Sequence, residues 1–228
     1  MEINNIYNMD CIQGMKELDD KYVDLIVTDP PYNISKKNNF KTMGRNGIDF
    51  GEWDKEFDLF SYINEAYRVL NKNGSFVVFN DWKNLGDISK YAENLGFVTK
   101  DMLRFIKTNP MPRNRERRYI TDFECAIWFT KKGGRWIFNR QDKKYERPMF
   151  FGNIEKGLHP TQKNTKLIEW LIKIHSNENQ LVLDAFMGSG TTAIACLNTN
   201  RNYIGFEIDE DYYDLSQERI KNHKTVNN

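Results

Sequence analysis

Gln180-Leu181-Val182-Leu183-Asp184-Ala185-Phe186-Met187-Gly188-Ser189-Gly190-Thr191-Thr192 reads as a short apolar strand that ends on an acid, turns on two glycines and enters an Ala-rich helix. Gly188 and Gly190 allow a sharp turn and a close backbone approach to a ligand, and the amino end of the following helix offers free N–H groups. Tyr203-Ile204-Gly205-Phe206-Glu207 is the next strand, so the stretch is one β-α-β unit. Glu207, 23 residues after Asp184, falls at the end of the adjacent strand, where a carboxylate can accept both hydroxyls of a ribose. The G-x-G-x-x-G fingerprint is incomplete, with Ala193 at its third position, and no Gly-Lys-Ser/Thr follows as in a phosphate-binding loop. An adenosine-containing cofactor without a large phosphate load fits best, and S-adenosylmethionine leads.

Nearer the amino end, Tyr22-Val23-Asp24-Leu25-Ile26-Val27-Thr28 reads as a buried strand halted by Asp29-Pro30-Pro31-Tyr32. A carboxylate and an aromatic ring are thereby placed at a strand's carboxyl end, the edge where open α/β sheets bind ligands. The two prolines hold the intervening carbonyls in a defined direction. Taken alone, the four residues are equally an ordinary strand-ending turn.

Other elements follow from spacing. Ile3 to Asp10 predicts a strand ending in an acid, with Ile12, Met15 and Leu18 at helical spacing behind it. Asn33 to Asp54 is a long polar loop, of the kind that is usually functional or mobile. Phe57 to Leu70 predicts a helix ended by Asn73-Gly74, followed by the strand Ser75 to Phe79. A helix over Lys83 to Asn94 and a strand from Phe97 to Ile106 come next. The prolines of 108–114 exclude a central strand, and Phe123 to Phe129 is expected to pair antiparallel with the strand before it. Lys131 to Leu158 shows no periodic pattern, Lys166 to His175 is a helix buried on one face, and Tyr212 to Ile220 is a closing helix. His175 and His223 are expected at the surface or at helix ends.

The 228 residues, 39% hydrophobic, suit a single α/β unit with a small insertion. The net charge of +1 hides an asymmetry. Residues 100–150 carry 14 Lys/Arg against 6 Asp/Glu, a local +8 that leaves −7 elsewhere. Interleaved with Tyr119, Trp136, Phe138 and Tyr145, this is the expected footprint of a nucleic-acid surface. Cys11, Cys125 and Cys196 have no metal-ligand or disulfide spacing, so no metal is expected and the compartment is expected to be reducing. No apolar run is long enough to span a membrane, and a cytoplasmic location is expected.

Three motifs in one order carry a resemblance: Asp-Pro-Pro-Tyr at 29–32, His-Pro-Thr-Gln-Lys at 159–163 and Asp-Ala-Phe-Met-Gly-Ser-Gly-Thr-Thr at 184–192. Together they resemble the β-group amino-methyltransferases of DNA, in which the catalytic half precedes the cofactor half. The resemblance implies a Rossmann-like methyltransferase fold: a mostly parallel twisted sheet with an antiparallel strand, helices on both faces and a small basic recognition insertion. A catalytic half at 1–129, a target-recognition segment at 130–158 and a cofactor half at 159–228 are expected. Asp10, with Cys11 beside it, looks like the contact to the cofactor's adenine. Phe186 and Gly188, Ser189, Gly190, Thr191 and Thr192 look like the cofactor loop behind Asp184, and Glu207 like the ribose acceptor. His159, Thr161 and Lys163 resemble the motif lining the methionine end, where Asp29 also meets the cofactor.

The implied reaction is methyl transfer from S-adenosylmethionine to the N6 of adenine in DNA. Asp29 and the Pro30 carbonyl accept the amino hydrogens, Pro31 fixes the turn, and Tyr32 stacks on a base flipped out of the duplex. Loops 33–54, 108–118 and 133–158 surround that base, with Arg113, Arg115, Arg117 and Arg118 as DNA contacts. Asp rather than Ser at position 29 favours adenine over N4 of cytosine. A non-catalytic DNA-binding paralogue and methylation of RNA or protein amides are the other readings. A short recognition stretch is compatible with a homodimer, and a cognate restriction endonuclease is a further expected partner.

Overall fold

Val23–Thr28 forms β2, the strand from which the sheet extends in both directions. The structure, a computed structural model, describes residues 1–32, 57–110, 116–117, 119–154 and 162–227. Among the described residues, eight strands make one sheet in the order β1-β8-β7-β2-β3-β5-β4-β6. They are β1 (Asn5–Asn8), β2, β3 (Leu70–Asn80), β4 (Phe97–Lys107), β5 (Phe123–Lys131), β6 (Met149–Gly152), β7 (Leu181–Asp184) and β8 (Asn202–Glu207). All neighbours run parallel except β5, which is antiparallel to both β3 and β4. The helices are α1 (Cys11–Lys16), α2 (Leu59–Val69), α3 (Leu85–Leu95), α4 (Thr165–His175), α5 (Thr191–Asn198) and α6 (Glu210–Asn227).

Period-two alternation in strands that are apolar throughout gives the sheet two cores. Ile26, Phe76, Val78 and Leu183 face the side of α1, α2 and α3, whereas Leu25, Val27, Val77, Phe79 and Val182 face α4, α5 and α6. Asp58 and Asn164 begin α2 and α4 by accepting the backbone N–H three residues on, at 3.0 and 3.1 Å. Gly96, with φ of 106°, ends α3 in the left-handed conformation.

Two expectations about the chain change. Asn73-Gly74 does not end α2, which stops at Val69; it lies inside β3. A Cβ on Gly74 would stand 2.6 Å from the Asp24 carbonyl oxygen, so this glycine serves the close approach of β3 to β2. The patternless stretch after Lys131 contains β6, a four-residue edge strand too short to show a period.

The topology gathers the functional ends. The carboxyl ends of β2, β3, β4, β6, β7 and β8 and the amino end of antiparallel β5 share one edge. Thr28, Asn80, Lys107, Glu124, Asp184 and Glu207 therefore stand along it.

Candidate active site

Strands β2 and β7 are neighbours, which sets the two sequence motifs side by side although 156 residues separate Thr28 from Asp184. The Thr28 hydroxyl donates to Asp184 Oδ1 at 3.0 Å, and so does the Phe186 N–H at 3.0 Å. Oδ2 accepts from the Thr192 hydroxyl at 2.5 Å. Burial pushes the Asp184 carboxyl up to about 7, against the pull of these donors. Through these bonds Asp184 ties the end of β2 to the glycine turn.

The turn itself has the expected form. Gly188 and Gly190 take φ of 51° and 82°, where side chains are strained. A Cβ at Gly188 would meet nothing within 4 Å, whereas one at Gly190 would stand 3.1 Å from Ser216 Cβ. Thus Gly188 opens to space and Gly190 packs. The Gly188 N–H donates to Glu207 Oε2 at 2.7 Å and the Asp209 N–H to Oε1 at 2.9 Å. Burial raises the Glu207 carboxyl above its ordinary value, while those N–H groups oppose the rise. The Ser189 hydroxyl donates to Gln162 Oε1 at 3.2 Å, and Arg219 donates to Ser189 and Thr191 at 3.1 Å each. Ser189, Thr191 and Thr192 therefore brace the turn with their side chains. Phe186 is held edge-on by Phe57 and Tyr62, at 5.0 and 5.4 Å between ring centres.

Asp10 is half-buried and caps α1, Oδ1 accepting from Gln13 N–H at 2.9 Å. Cys11 gives its side chain to the core, and burial pushes its thiol up to about 12. The open space at Gly188, the carboxylates of Glu207 and Asp10 and the partly buried Phe186 ring fit an adenosine.

Asp29 sits one residue beyond β2 with both oxygens engaged. The Tyr32 hydroxyl donates to Oδ1 at 2.5 Å, and Lys163 Nζ lies 2.5 Å from Oδ2. Burial lifts the Tyr32 hydroxyl far above its ordinary value, and the Asp29 charge adds to the effect. The Tyr32 carbonyl accepts from Asn84 Nδ2 at 3.0 Å, and the same amide donates to Asn80 Oδ1 at 2.7 Å. Lys163, expected at the methionine end, thus reaches the Asp29 carboxylate. It also lies 3.0 Å from Glu124 Oε2, whose Oε1 is 2.7 Å from Lys107 Nζ. Burial alone would depress the Lys163 ammonium, but Asp29 and Glu124 outweigh it and hold the group well above its usual range. Burial would likewise raise Glu124; the two ammonium groups override it and take the carboxyl to about 2.

Glu124, Lys107, Asn80 and Asn84 went unnoticed in the sequence. The available signal was an acid one place inside the apolar strand Phe123-Glu124-Cys125-Ala126-Ile127. Of the predicted DNA contacts, Arg117 is exposed. Arg113, Arg115, Arg118, His159, Thr161 and the loop 33–54 lie outside the described residues.

Trp136 and Phe138, expected within the basic and aromatic footprint, are 40% and 41% exposed. They pack on Trp128 at 6.4 and 5.4 Å between ring centres, and the Asn139 N–H donates to the Ile174 carbonyl at the end of α4. Trp136 also carries Lys100 Nζ over its ring at 3.7 Å. His175 is at a helix end as expected but is buried, 4.6 Å from the Trp128 ring centre. The recognition stretch thus begins as a strap away from the site edge and reaches that edge only at β6.

A family model described as DNA methylase matches residues 23–218, nearly the whole chain and both motif strands. This chain belongs to the DNA methylase family. It is a β-group DNA methyltransferase with the Rossmann-like fold of that family. The Type II methyltransferase M.HinfI of Haemophilus influenzae is 31% identical over 96% of this chain and 68% of its own length. The Type II methyltransferase M.HpaI of Haemophilus parainfluenzae is 30% identical over 92% and 72%. The M1.HpyAVI–SAM complex superposes with a TM-score of 0.76 at 38% identity, covering 94% of this methylase and 98% of that chain. The cytosine-N4-specific PvuII DNA methyltransferase, at 19% identity over 94% and 85%, superposes as well, with a TM-score of 0.77. That likeness shows the fold alone, and the fold does not separate the two target bases. Among the described residues no group of three or more His, Cys, Asp or Glu could hold a metal, and no helix is long and apolar enough to cross a membrane.

Proposed function

We propose that this methylase transfers a methyl group from S-adenosylmethionine to the exocyclic N6 of adenine in a short DNA sequence. The observation that carries the reading is the hydrogen bond from Thr28 to Asp184, which locks the strand end bearing Asp29 against the one bearing the cofactor turn. A methyl donor held at Gly188 would then lie at the strand end next to the one that bears Asp29.

When bound, S-adenosylmethionine supplies an electrophilic methyl group. Gly188, Phe186, Glu207 and Asp10 would hold its adenosine, with the Glu207 carboxylate as the acceptor for the ribose hydroxyls. An adenine amino nitrogen is a poor nucleophile because its lone pair is delocalised into the ring. Asp29 and the Pro30 carbonyl accept its hydrogens, drive it toward tetrahedral geometry and aim the lone pair. The Tyr32 and Lys163 contacts orient Asp29 for this; each carboxylate oxygen has a further lone pair for the amino group. Unstacking the target base costs a few kcal/mol, met by contacts from the surrounding loops. The exposed Arg117 contributes phosphate or base contacts. A cytoplasmic setting, a cognate endonuclease and pairing with a second copy belong to the same proposal.

Asp29→Ala tests the assignment with radiolabelled cofactor and unmethylated DNA. Transfer should be abolished while cofactor binding survives; retained turnover would sink it. Nucleoside mass spectrometry of DNA treated with the unaltered enzyme should show N6-methyladenine, and N4-methylcytosine would refute the choice of base.

A further inference from the structure

Glu124 takes no part in the chemistry just described, yet it is a half-buried acid at the amino end of β5, on the site edge. Its two oxygens are divided between two ammonium groups, Lys107 at 2.7 Å and Lys163 at 3.0 Å. Lys163 in turn lies 2.5 Å from Asp29 Oδ2. Four charges therefore alternate in a row: Lys107, Glu124, Lys163, Asp29. They come from β4, β5, the approach to α4 and the turn after β2.

Such a row does what a single pair cannot. A buried ammonium with one carboxylate partner would direct its whole charge at it and weaken it as an acceptor for a neutral amino group. Held between two carboxylates, Lys163 has a position set by both and shares its charge between them. Removing the Glu124 charge would leave two ammonium groups facing one carboxylate, a local charge of +1 in place of zero, beside the Phe79 ring over which Lys163 lies at 5.1 Å. Tyr32, on Asp29 Oδ1, and Asp184, behind Thr28, are the other titratable groups nearest Asp29.

We propose that Glu124 is a positioning residue for methyl transfer: clamped by Lys107, it holds Lys163 on Asp29 Oδ2 and balances its charge, so that Asp29 keeps its orientation and its strength as an acceptor for the amino group. The inference rests on the reading of Asp29 given above. Its role is separable from cofactor binding, because neither Glu124 nor Lys107 borders the glycine turn or Glu207.

The test is single-turnover methylation of unmethylated genomic DNA with radiolabelled S-adenosylmethionine, alongside cofactor affinity by calorimetry and a thermal melt. Glu124→Gln, which keeps the shape and removes the charge, should slow the transfer step about tenfold or more and leave cofactor affinity within about twofold. In a Lys163→Met background the same change should alter the rate by less than about twofold, since Glu124 acts only through Lys163. A folded Glu124→Gln enzyme with the original rate would overturn the proposal, as would an equal loss in both backgrounds. Should Glu124→Gln fail to fold, Lys107→Met carries the same comparison, with a smaller loss in the same direction expected and an unchanged rate overturning the inference. Absence of transfer by the unaltered enzyme would instead overturn the parent reading, and this one with it.

Discussion

Acidification should expose a weak point far from the chemistry. His175 ends α4 with only 3% of its surface exposed, against Trp128 and Phe138 at 4.6 and 5.9 Å between ring centres. Burial pushes its imidazole down to about 3 from an ordinary 6.5. With the folded value below the unfolded one, the proton binds the unfolded chain more tightly, so the stability is present above the unfolded value and is lost as pH falls. Between pH 7 and pH 5 the loss is about 2 kcal/mol, and because pH 5 lies well above the folded value, the figure is set almost wholly by the unfolded histidine. Asp184 works in the opposite sense. Its carboxyl is raised to about 7, so its proton favours the folded state and stability of about 2 kcal/mol is gained over the same interval. The two nearly cancel in the unaltered protein, whose overall slope is therefore uninformative. His175→Phe removes one of them. Urea unfolding at pH 7 and pH 5 should show the variant gaining about 2 kcal/mol on the unaltered protein as pH falls. Equal slopes for the two would refute the burial argument.

Three further outcomes divide the basic segment and the cofactor site by role. Trp136→Ala should cost about 1–3 kcal/mol in unfolding free energy, because it strips the cover from Trp128, while leaving DNA affinity unchanged in a binding titration. Arg117→Ala should leave stability within about 0.5 kcal/mol but weaken DNA binding and lower the salt slope of the binding constant by about one; an unchanged slope would remove Arg117 from the interface. Glu207→Gln halves the acceptors offered to Gly188 N–H, Asp209 N–H and a ribose, and should weaken S-adenosylmethionine about tenfold or more by calorimetry. Unaltered affinity would show that another group holds the ribose.

Local patterns carried most of the architecture. Apolar runs halted by Asp29-Pro30-Pro31 and by the glycines at 188 and 190 are short-range signals, and the strands and helices around them stand where their spacing placed them. The antiparallel pairing of β5 was legible because only a loop precedes it. Where a residue's job depends on a distant neighbour, the same reasoning failed. Gly74 looked like a helix stop because its close approach to Asp24 belongs to strand pairing. That Trp136 and Phe138 pack on Trp128 was likewise illegible, because Trp128 lies on another element.

By itself, then, the chain of residues determined the order of catalytic and cofactor halves, the strand ends that bear Asp29 and Glu207, and the turn that opens at Gly188. All of these are written in contiguous motifs whose backbone preferences act over a few residues. Only the tertiary structure decided that Asp184 meets Thr28 and Thr192, that Lys163 meets Asp29 and that Glu124 meets Lys163. Those contacts arise from buried charges finding partners across β2, β5, β7 and the approach to α4, and a buried charge takes its function from whatever the fold sets within a few ångströms of it.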